Sequence, residues 1–275
     1  MRTFSQLDVA PTAARILGIS LPQSDGQFID LVGDWECRNV VLIIVDSLGY
    51  DLYRWLEPRL RCLPLLAAEG HLLRAEAVSG HTTPSIATLL NGLLPEHHRI
   101  LDKAGARKST LPSIPDIAAA SGLRSAVIME QSGADVYSGI VEIARGIPDD
   151  IPPAEFDRKA CDLTLEALDQ EPRLLVSYFI GIDKAVHLGQ GLVEIREAAL
   201  QIDRCIGEIA SAADERCLLI ICGDHPVHAG RLKRSIAPYC VAMILSKGRG
   251  KESPCCQRQI PITGGLTIGL NAASG

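Results

Sequence analysis

No uninterrupted apolar stretch in the 275-residue sequence approaches the roughly 18 residues that a membrane-spanning helix needs. The first residues, MRTFSQLDVAPTAARILG, also lack the apolar segment of a secretory signal. There is no internal repeat, no low-complexity tract and no linker-like segment. We therefore expect a soluble, cytoplasmic protein in which residues 1–275 form a single domain, since one α/β domain of this length is ordinary.

The sequence also lacks an excess of positive charge and an ordered cysteine pattern. With 27 Lys and Arg against 33 Asp and Glu, its net charge of −6 disfavours binding to nucleic acid and to anionic membranes. Any phosphate-bearing substrate then needs a local positive charge. The nine cysteines are an odd number without CxxC spacing, so reduced thiols are expected instead of a disulfide framework.

Short apolar strands alternate with helical segments along the chain. Three of these strands run into an aspartate: VVLIIVD at 40–46, RLLVSYFIGID at 173–183 and RCLLIICGDH at 216–225. Alternation of this kind predicts right-handed crossovers and a mostly parallel sheet covered by helices on both faces, which is a three-layer α/β sandwich. The segment 133–158 has no regular pattern and is expected to be loop-rich, as a lid or rim.

Aspartates at the ends of parallel strands are expected to meet at one edge of the sheet, where ligands bind in open α/β folds. Asp46, Asp183 and Asp224 therefore converge in the predicted fold. Three carboxylates without a counter-charge repel one another and are costly to bury, so a cation is expected among them. A single aspartate of this kind is more often a helix cap or a loop hydrogen-bonding group.

Histidines accompany two of these aspartates. His187 follows Asp183 in DKAVH, and His225 and His228 follow the third strand in GDHPVH. Mixed carboxylate and imidazole ligands suit zinc or a similar first-row divalent ion, whereas magnesium and calcium prefer oxygen ligands alone. Three aspartates and three histidines are enough to hold two ions.

The stretch SGHTTPSIATLLNGLLPEHHRI at 79–100 supplies a hydroxyl at a predicted helix N-terminus, where free amide groups and the helix dipole favour an anion. Thr83 before Pro84 is also an ordinary N-cap, and a capping residue of this type usually has no further role. On its own the stretch leaves both interpretations open.

Taken in order, these motifs resemble the alkaline phosphatase superfamily of metal-dependent phospho- and sulfo-transfer enzymes, particularly its nucleotide pyrophosphatase/phosphodiesterase branch. VVLIIVDSLGYD resembles the opening strand with its metal aspartate, and TTP resembles the nucleophile two residues before a proline. NGLLPEHH is similar to T-G-x-x-P-x-x-H, DKAVHLGQG to D-x-x-G-H-x-x-G, and CGDH to S-D-H-G. The resemblance extends over about residues 38–247 and implies an alkaline-phosphatase-like fold. About 100 residues separate the nucleophile from DKAVH, too few for a large inserted cap.

The resemblance implies a role for each matching residue. Thr82 would be the nucleophile, and its oxygen would share one divalent ion with Asp46, Asp224 and His225. Asp183, His187 and His228 would hold the second ion. Zinc is expected, with manganese as the alternative. Lys184 and Arg99 lie beside these residues in the sequence and are expected to contact a substrate phosphate.

The implied activity is two-metal hydrolysis of a small phosphodiester, phosphoanhydride or phosphomonoester, through a phosphothreonine intermediate on Thr82. Sulfatases of the superfamily convert a cysteine or serine to formylglycine, which a threonine cannot form, so sulfate esters are disfavoured. Phosphonate hydrolysis is an alternative, and so is a non-catalytic metal- or phosphate-binding protein that keeps the fold. The oligomeric state is left open.

The N-terminal helix predicted at 8–18 resembles an element that normally comes late in the family. LDVAPT contains the pattern D-x-x-P-T, which the family places near the end of the chain. A circular rearrangement would explain this order if the chain termini are neighbours. A chance match is the alternative.

Overall fold

The computed structural model describes residues 3–228 and 239–250. The strands are β1 Phe4–Ser5, β2 Asn39–Val45, β3 His71–Glu76, β4 Ser125–Glu130, β5 Ile143–Ile147, β6 Leu174–Phe179, β7 Cys217–Gly223 and β8 Cys240–Lys247. The α-helices are α1 Val9–Leu17, α2 Tyr50–Leu56, α3 Cys62–Glu69, α4 Thr82–Asn91, α5 Pro95–His98, α6 Lys103–Lys108, α7 Ile114–Ala120, α8 Gln131–Tyr137, α9 Pro153–Leu168, α10 Gly181–His187 and α11 Leu192–Ala212. None of the helices in the described ranges is both long and apolar enough to cross a bilayer.

All eight strands form one sheet in the order β1-β3-β8-β7-β2-β6-β4-β5. Neighbouring strands are parallel except where β8 pairs with β3 and β7. The mostly parallel sheet predicted from the sequence is therefore confirmed. β8 is the exception, and no sequence pattern indicates its direction.

The central strands carry apolar residues on both faces, which is why they read as continuous apolar runs. Every residue of β6 and β7 is buried, as are all but the first of β2. Helices α1, α4 and α7 pack on one another, and so do α3, α9, α10 and α11. Two helical layers around one buried sheet give the predicted three-layer α/β arrangement.

The register of β2 with its two neighbours aligns the carboxyl ends of three strands. Val45 lies opposite Phe179 of β6 and opposite Gly223 of β7. Asp46 continues this alignment, because its backbone N–H donates to the Phe179 carbonyl over 2.9 Å. The residues that follow β2, β6 and β7 are thereby brought to one edge of the sheet.

The N-terminal segment packs next to the helix that begins at Thr82. Helix α1 ends at Gly18, whose φ of 72° suits a glycine C-cap, so the predicted helix is confirmed. Just before it, the buried Gln6 side chain donates to the carbonyls of Gly223 and Asp224 and accepts from the Val78 N–H. This segment thus ties the end of β7 to the connection after β3. The proposed rearrangement and the single-domain expectation stay predictions, and residues 251–275 lie outside the described residues.

The segment predicted to be loop-rich, 133–158, contains regular structure. It includes most of α8 and the parallel edge strand β5, which pairs with β4 from Ala126↔Ile143 onwards. β5 was missed because only its end residues are buried and because glycines flank and interrupt it. Several residues of this segment line the cavity described below, and its role as a lid or rim stays a prediction.

Candidate metal centre and active site

The three predicted aspartates lie together at the carboxyl edge of the sheet. Asp46 directly follows β2 and Asp224 directly follows β7, while Asp183 occupies the first turn of α10, just after β6. Asp46 and Asp224 follow their strands as predicted, whereas Asp183, expected at a strand end, lies four residues beyond β6. The three strands are adjacent, and all three residues are buried. The structure therefore brings these residues together as the sequence predicted.

His225 lies at the centre of this cluster and is fully buried. Its Nε2 atom is 3.3 Å from Asp46 Oδ1 and 3.4 Å from Asp224 Oδ2. The Thr82 hydroxyl oxygen is 3.1 Å from the same nitrogen. Ligand atoms of Asp46, Asp224 and His225 lie within 4.8 Å of one another, which is the spacing of a possible metal site.

The backbone fixes which nitrogen of His225 faces the cluster as an acceptor. Nδ1 lies 3.0 Å from the Pro226 carbonyl oxygen, which can only accept a hydrogen bond. Nδ1 therefore carries the proton, and Nε2 presents its lone pair to the carboxylates. A histidine held in this way is prepared to bind a metal ion through Nε2.

A second group of possible ligands shares His225 with the first. Ligand atoms of Asp183, His225 and His228 also lie within 4.8 Å of one another. His187 Nε2 is 3.5 Å from Asp183 Oδ2, and the centroids of the His187 and His228 rings are 4.9 Å apart. Burial and the neighbouring His225 lower the pKa of His228, which favours the neutral form that binds metals.

The electrostatics of the cluster call for a cation. Burial raises the pKa of Asp46 well above its usual range, and the carboxylates of Asp224 and Asp183 raise it further. Burial likewise raises the pKa of Asp224 to about 7. The buried Asp46 Oδ1, Asp224 Oδ2 and His228 Nδ1 accept no hydrogen bond from the described residues. These unpartnered atoms fit divalent ions, since buried polar groups are otherwise almost always paired.

Each aspartate has one oxygen held by a protein donor, which leaves the other available. The Tyr178 hydroxyl donates to Asp46 Oδ2. Asp224 Oδ1 accepts from the backbone N–H groups of Ser47 and His225 over 2.9 and 2.7 Å. Asp183 Oδ1 accepts from the Ser47 hydroxyl over 2.8 Å. Hydrogen bonds of this kind orient metal ligands.

Thr82 is the first residue of α4, and His81 is the N-cap. Pro84 therefore stands third in the helix, still within the first turn, where a missing N–H costs no intrahelical bond. The Thr82 side chain opens onto a cavity of about 760 Å³ that Asp46 and Asp183 also line. Ile86, Leu90, Met129 and Val136 supply apolar wall to the same cavity.

The two predicted substrate-binding cations have different positions. Lys184 on α10 is half-buried, lines the cavity and makes no ion pair with a described acidic residue. Arg99 is exposed at the end of α5, with a φ of 56°, and is not among the residues that line the cavity. The structure thus brings Lys184 to the site and does not bring Arg99 there.

Three residues near the cluster were missed by sequence analysis. Tyr178 and Ser47 hold the aspartates, and Glu130 brings a fourth carboxyl group to the end of a strand, where it lines the same cavity. Glu130 ends the apolar run RSAVIME at 124–130, so its place at the end of a strand could have been found from the sequence. Nothing in the sequence indicated the roles of Tyr178 and Ser47.

Helix α10, which carries Asp183 and His187, is positioned by a buried carboxylate of α9. Asp157 accepts from the backbone N–H groups of Ile180 and Gly181 over 2.9 and 3.1 Å. Burial raises the pKa of Asp157 from 3.8 to about 7, although these two hydrogen bonds oppose the rise. The folded protein therefore holds a proton on Asp157 that the unfolded chain releases between about pH 4 and 7.

The Asp157→Asn variant is expected to lose less stability than wild type as the pH rises from 5 to 7.5. The amide still offers one oxygen to α10 but cannot ionise, so the loss of stability that accompanies ionisation disappears. Between pH 5 and 7.5 a shift from 3.8 to about 7 corresponds to at most about 2.5 kcal/mol. Urea unfolding of both proteins in chelator at the two pH values measures the difference. Identical pH dependence would contradict this role of Asp157.

Comparison with known proteins places this site in a known fold. Residues 38–147, which include Asp46 and Thr82, match the family model described as Sulfatase. No curated protein matches the sequence.

Solved structures share the fold at low sequence identity. The phosphonoacetate hydrolase of Sinorhizobium meliloti 1021 has 13% identity over 68% of this chain and 56% of its own, with a TM-score of 0.55. A putative sulfatase from Bacteroides thetaiotaomicron VPI-5482 has 13% identity over 77% of this chain and 65% of its own, with a TM-score of 0.59.

A third relative is described as a protein in the alkaline phosphatase superfamily from Vibrio parahaemolyticus, with 13% identity over 77% of this chain and 61% of its own and a TM-score of 0.55. This chain covers less than two thirds of each of these three proteins. The matches do not specify the nucleotide pyrophosphatase/phosphodiesterase branch. They do show that the chain has the fold of the alkaline phosphatase superfamily, as the motifs predicted.

Proposed function

We propose that the protein is a metal-dependent hydrolase of small phosphorus esters, with Thr82 as its nucleophile. One observation carries the proposal: the Thr82 hydroxyl lies 3.1 Å from His225 Nε2, which is itself 3.3 and 3.4 Å from unpartnered oxygens of Asp46 and Asp224. A hydroxyl beside such a ligand set is the arrangement needed to activate an otherwise weak nucleophile.

The residues present fit two divalent ions, zinc or manganese. Asp46, Asp224 and His225 would hold one ion close to Thr82, and Asp183, His187 and His228 would hold the other. Such ions supply Lewis-acid chemistry: they lower the pKa of a bound hydroxyl and offset negative charge in the transition state. The mixed nitrogen and oxygen donors favour zinc.

The chain itself positions the nucleophile and the transferred group. Because Thr82 is the first residue of α4, the N–H groups of Thr82 and Thr83 have no partner within the helix, and a helix N-terminus favours an anion. Attack by the Thr82 oxygen would form a bond to phosphorus as the bond from phosphorus to the leaving group breaks, and the Thr82 proton would pass to solvent. The leaving group would depart through the cavity. Water then cleaves the resulting phosphothreonine.

Phosphorus esters are proposed over sulfate esters because position 82 is a threonine, although the matching family model is that of sulfatases. Phosphonate hydrolysis is the second candidate, and the structural likeness to the phosphonoacetate hydrolase of Sinorhizobium meliloti favours it. A protein without catalytic activity would have no physical need for a hydroxyl beside the cluster.

Four substrates distinguish these activities. The full chain is reconstituted with zinc or manganese and given an aryl phosphate, an aryl phosphodiester, phosphonoacetate or an aryl sulfate. Hydrolysis of one of the first two substrates supports the proposal, and release of phosphate from phosphonoacetate alone supports the second candidate. Hydrolysis of the sulfate alone would overturn both. A protein that binds two ions and cleaves none of the four substrates would be the non-catalytic alternative.

Lys184→Ala is expected to lower kcat/KM for the preferred phosphoester about 10-fold, mainly through KM. The half-buried ammonium faces the cavity without an acidic partner among the described residues, and a charge-assisted hydrogen bond to substrate is worth about this much. Arg99→Ala is the matched control, because it removes an exposed cation outside the cavity. Equal effects of the two variants in steady-state assays would contradict a specific role for Lys184.

A further inference from the structure

Ser47 occupies an unusual backbone position between the two groups of possible metal ligands. The residue directly follows Asp46, is fully buried and has a φ of 63°. Residues other than glycine rarely adopt this left-handed conformation, and where they do the surroundings usually determine it. The contacts of Ser47 explain why the conformation is kept.

Ser47 contacts both groups through two different donors. Its backbone N–H donates to Asp224 Oδ1 over 2.9 Å, and its hydroxyl donates to Asp183 Oδ1 over 2.8 Å. The hydroxyl oxygen is also 3.4 Å from His225 Nδ1. The other Asp183 oxygen, Oδ2, lies 3.5 Å from His187 Nε2.

These contacts determine which carboxylate oxygens remain for metal ions. With Oδ1 of each aspartate held by Ser47, Asp183 directs Oδ2 towards His187 Nε2 at 3.5 Å. Asp224 directs Oδ2 towards His225 Nε2 at 3.4 Å. The two free oxygens therefore face the imidazole nitrogens of their own groups.

We propose that Ser47 is a positioning residue that orients ligands of both ions. Its hydroxyl orients Asp183, and its backbone N–H orients Asp224. The inference rests on the two-ion centre of the proposed function. It has an asymmetric consequence, because a side-chain substitution removes the hydroxyl and leaves the N–H in place. Loss of the hydroxyl should weaken binding of the ion at Asp183 and leave binding of the ion at Asp224 unchanged.

The test compares zinc binding to the full-length wild type, Ser47→Gly and Ser47→Ala. Glycine adopts a φ of 63° readily whereas alanine does not, so an effect shared by both variants belongs to the lost hydroxyl and not to the backbone. Ser177→Ala is the control, since it removes a hydroxyl that is equally buried and is hydrogen-bonded to Thr164 over 2.7 Å.

Calorimetric zinc titration is expected to give two sites in wild type and in Ser177→Ala. In both Ser47 variants one site should weaken about 10- to 100-fold, the usual cost of losing an outer hydrogen bond to a ligand, while the other keeps its affinity. Unchanged affinity at both sites, or equal weakening of both, would overturn the role assigned to Ser47.

The zinc titration and the activity assays test the inference on Ser47 and the proposed function separately. If wild type binds two zinc ions but hydrolyses none of the test substrates, the proposed activity fails and the inference on Ser47 is still decided by the titration. If wild type binds no zinc at this centre, both are overturned. If hydrolysis is observed and the Ser47 variants titrate as wild type does, only the inference fails.

Discussion

Thr82→Ala is expected to lower the hydrolysis of the preferred phosphoester by at least about 10³-fold, because the hydroxyl that would attack phosphorus is lost. Zinc binding should change much less, since the aspartates and histidines remain. Thr82→Ser keeps a hydroxyl on the same helix position and should retain turnover to within about 10-fold. Steady-state rates and zinc stoichiometry of the three proteins provide the measurement.

Thr83→Ala is the matched control for this substitution. Thr83 has the same side chain one residue further along α4, but the hydroxyl hydrogen-bonded to His225 is that of Thr82. We expect Thr83→Ala to remain within about 10-fold of wild type. If Thr82→Ala hydrolysed as fast as wild type, or if Thr83→Ala were the inactive variant, the nucleophile would be wrongly assigned.

Removal of metal should abolish turnover and also lower the stability of the folded protein. A ligand at 100 times its Kd stabilises the folded state by about 2.7 kcal/mol per site. Zinc restored after treatment with chelator should therefore raise the midpoint of thermal unfolding and recover activity together. Recovery of full activity in chelator would contradict a metal-dependent mechanism.

The stabilisation by zinc is expected to grow between pH 5 and pH 7.5. In the metal-free protein the pKa of Asp224 rises from 3.8 to about 7, and that of Asp46 is also raised. The folded state then binds more protons than the unfolded chain over this range, so metal-free stability falls as pH rises. Zinc binds the ionised carboxylates. Its positive charge therefore offsets the repulsion between them most at the higher pH, where the carboxylates have lost their protons.

Thermal unfolding with zinc and with chelator at each pH measures this difference. Asp157 contributes to the pH dependence in both conditions, because it holds α10 through backbone N–H groups and is not part of the cluster. The gap between the two unfolding midpoints therefore reports the cluster alone. A gap that stays constant or shrinks towards pH 7.5 would contradict the assignment of Asp46 and Asp224.

The sequence was sufficient to predict the edge of the sheet and the main members of the cluster. A buried parallel strand reads as a continuous apolar run, and its last residue must lie at the carboxyl edge, so the positions of Asp46 and Asp224 followed from topology. Asp183 was expected at the end of a strand and His187 was noted because it follows in DKAVH, whereas β6 ends at Phe179 and both residues lie on α10. Thr82 was identified through the family motif. The helix start alone suggested an N-cap at Thr83, whereas the N-cap is His81.

The residues that hold the cluster could not be predicted in this way. Ser47 depends on a left-handed backbone conformation, and Tyr178 reaches Asp46 only because β6 pairs with β2 in one register. Arg99 was expected at the site from its place in the sequence, but the exposed end of α5 leaves it outside the cavity lining. The positions of these three residues depend on contacts between segments that are distant in the sequence. No local sequence pattern indicates such contacts.

Acidic and imidazole side chains at the carboxyl edge of the sheet are proposed to hold a pair of divalent ions beside Thr82. Anomalous diffraction at the zinc edge, from crystals of the full chain grown with zinc, tests this claim most directly. We expect two peaks, one among Asp46, Asp224 and His225 and the other among Asp183, His187 and His228. The absence of zinc from this cluster, or zinc bound only at other histidines, would contradict the claim.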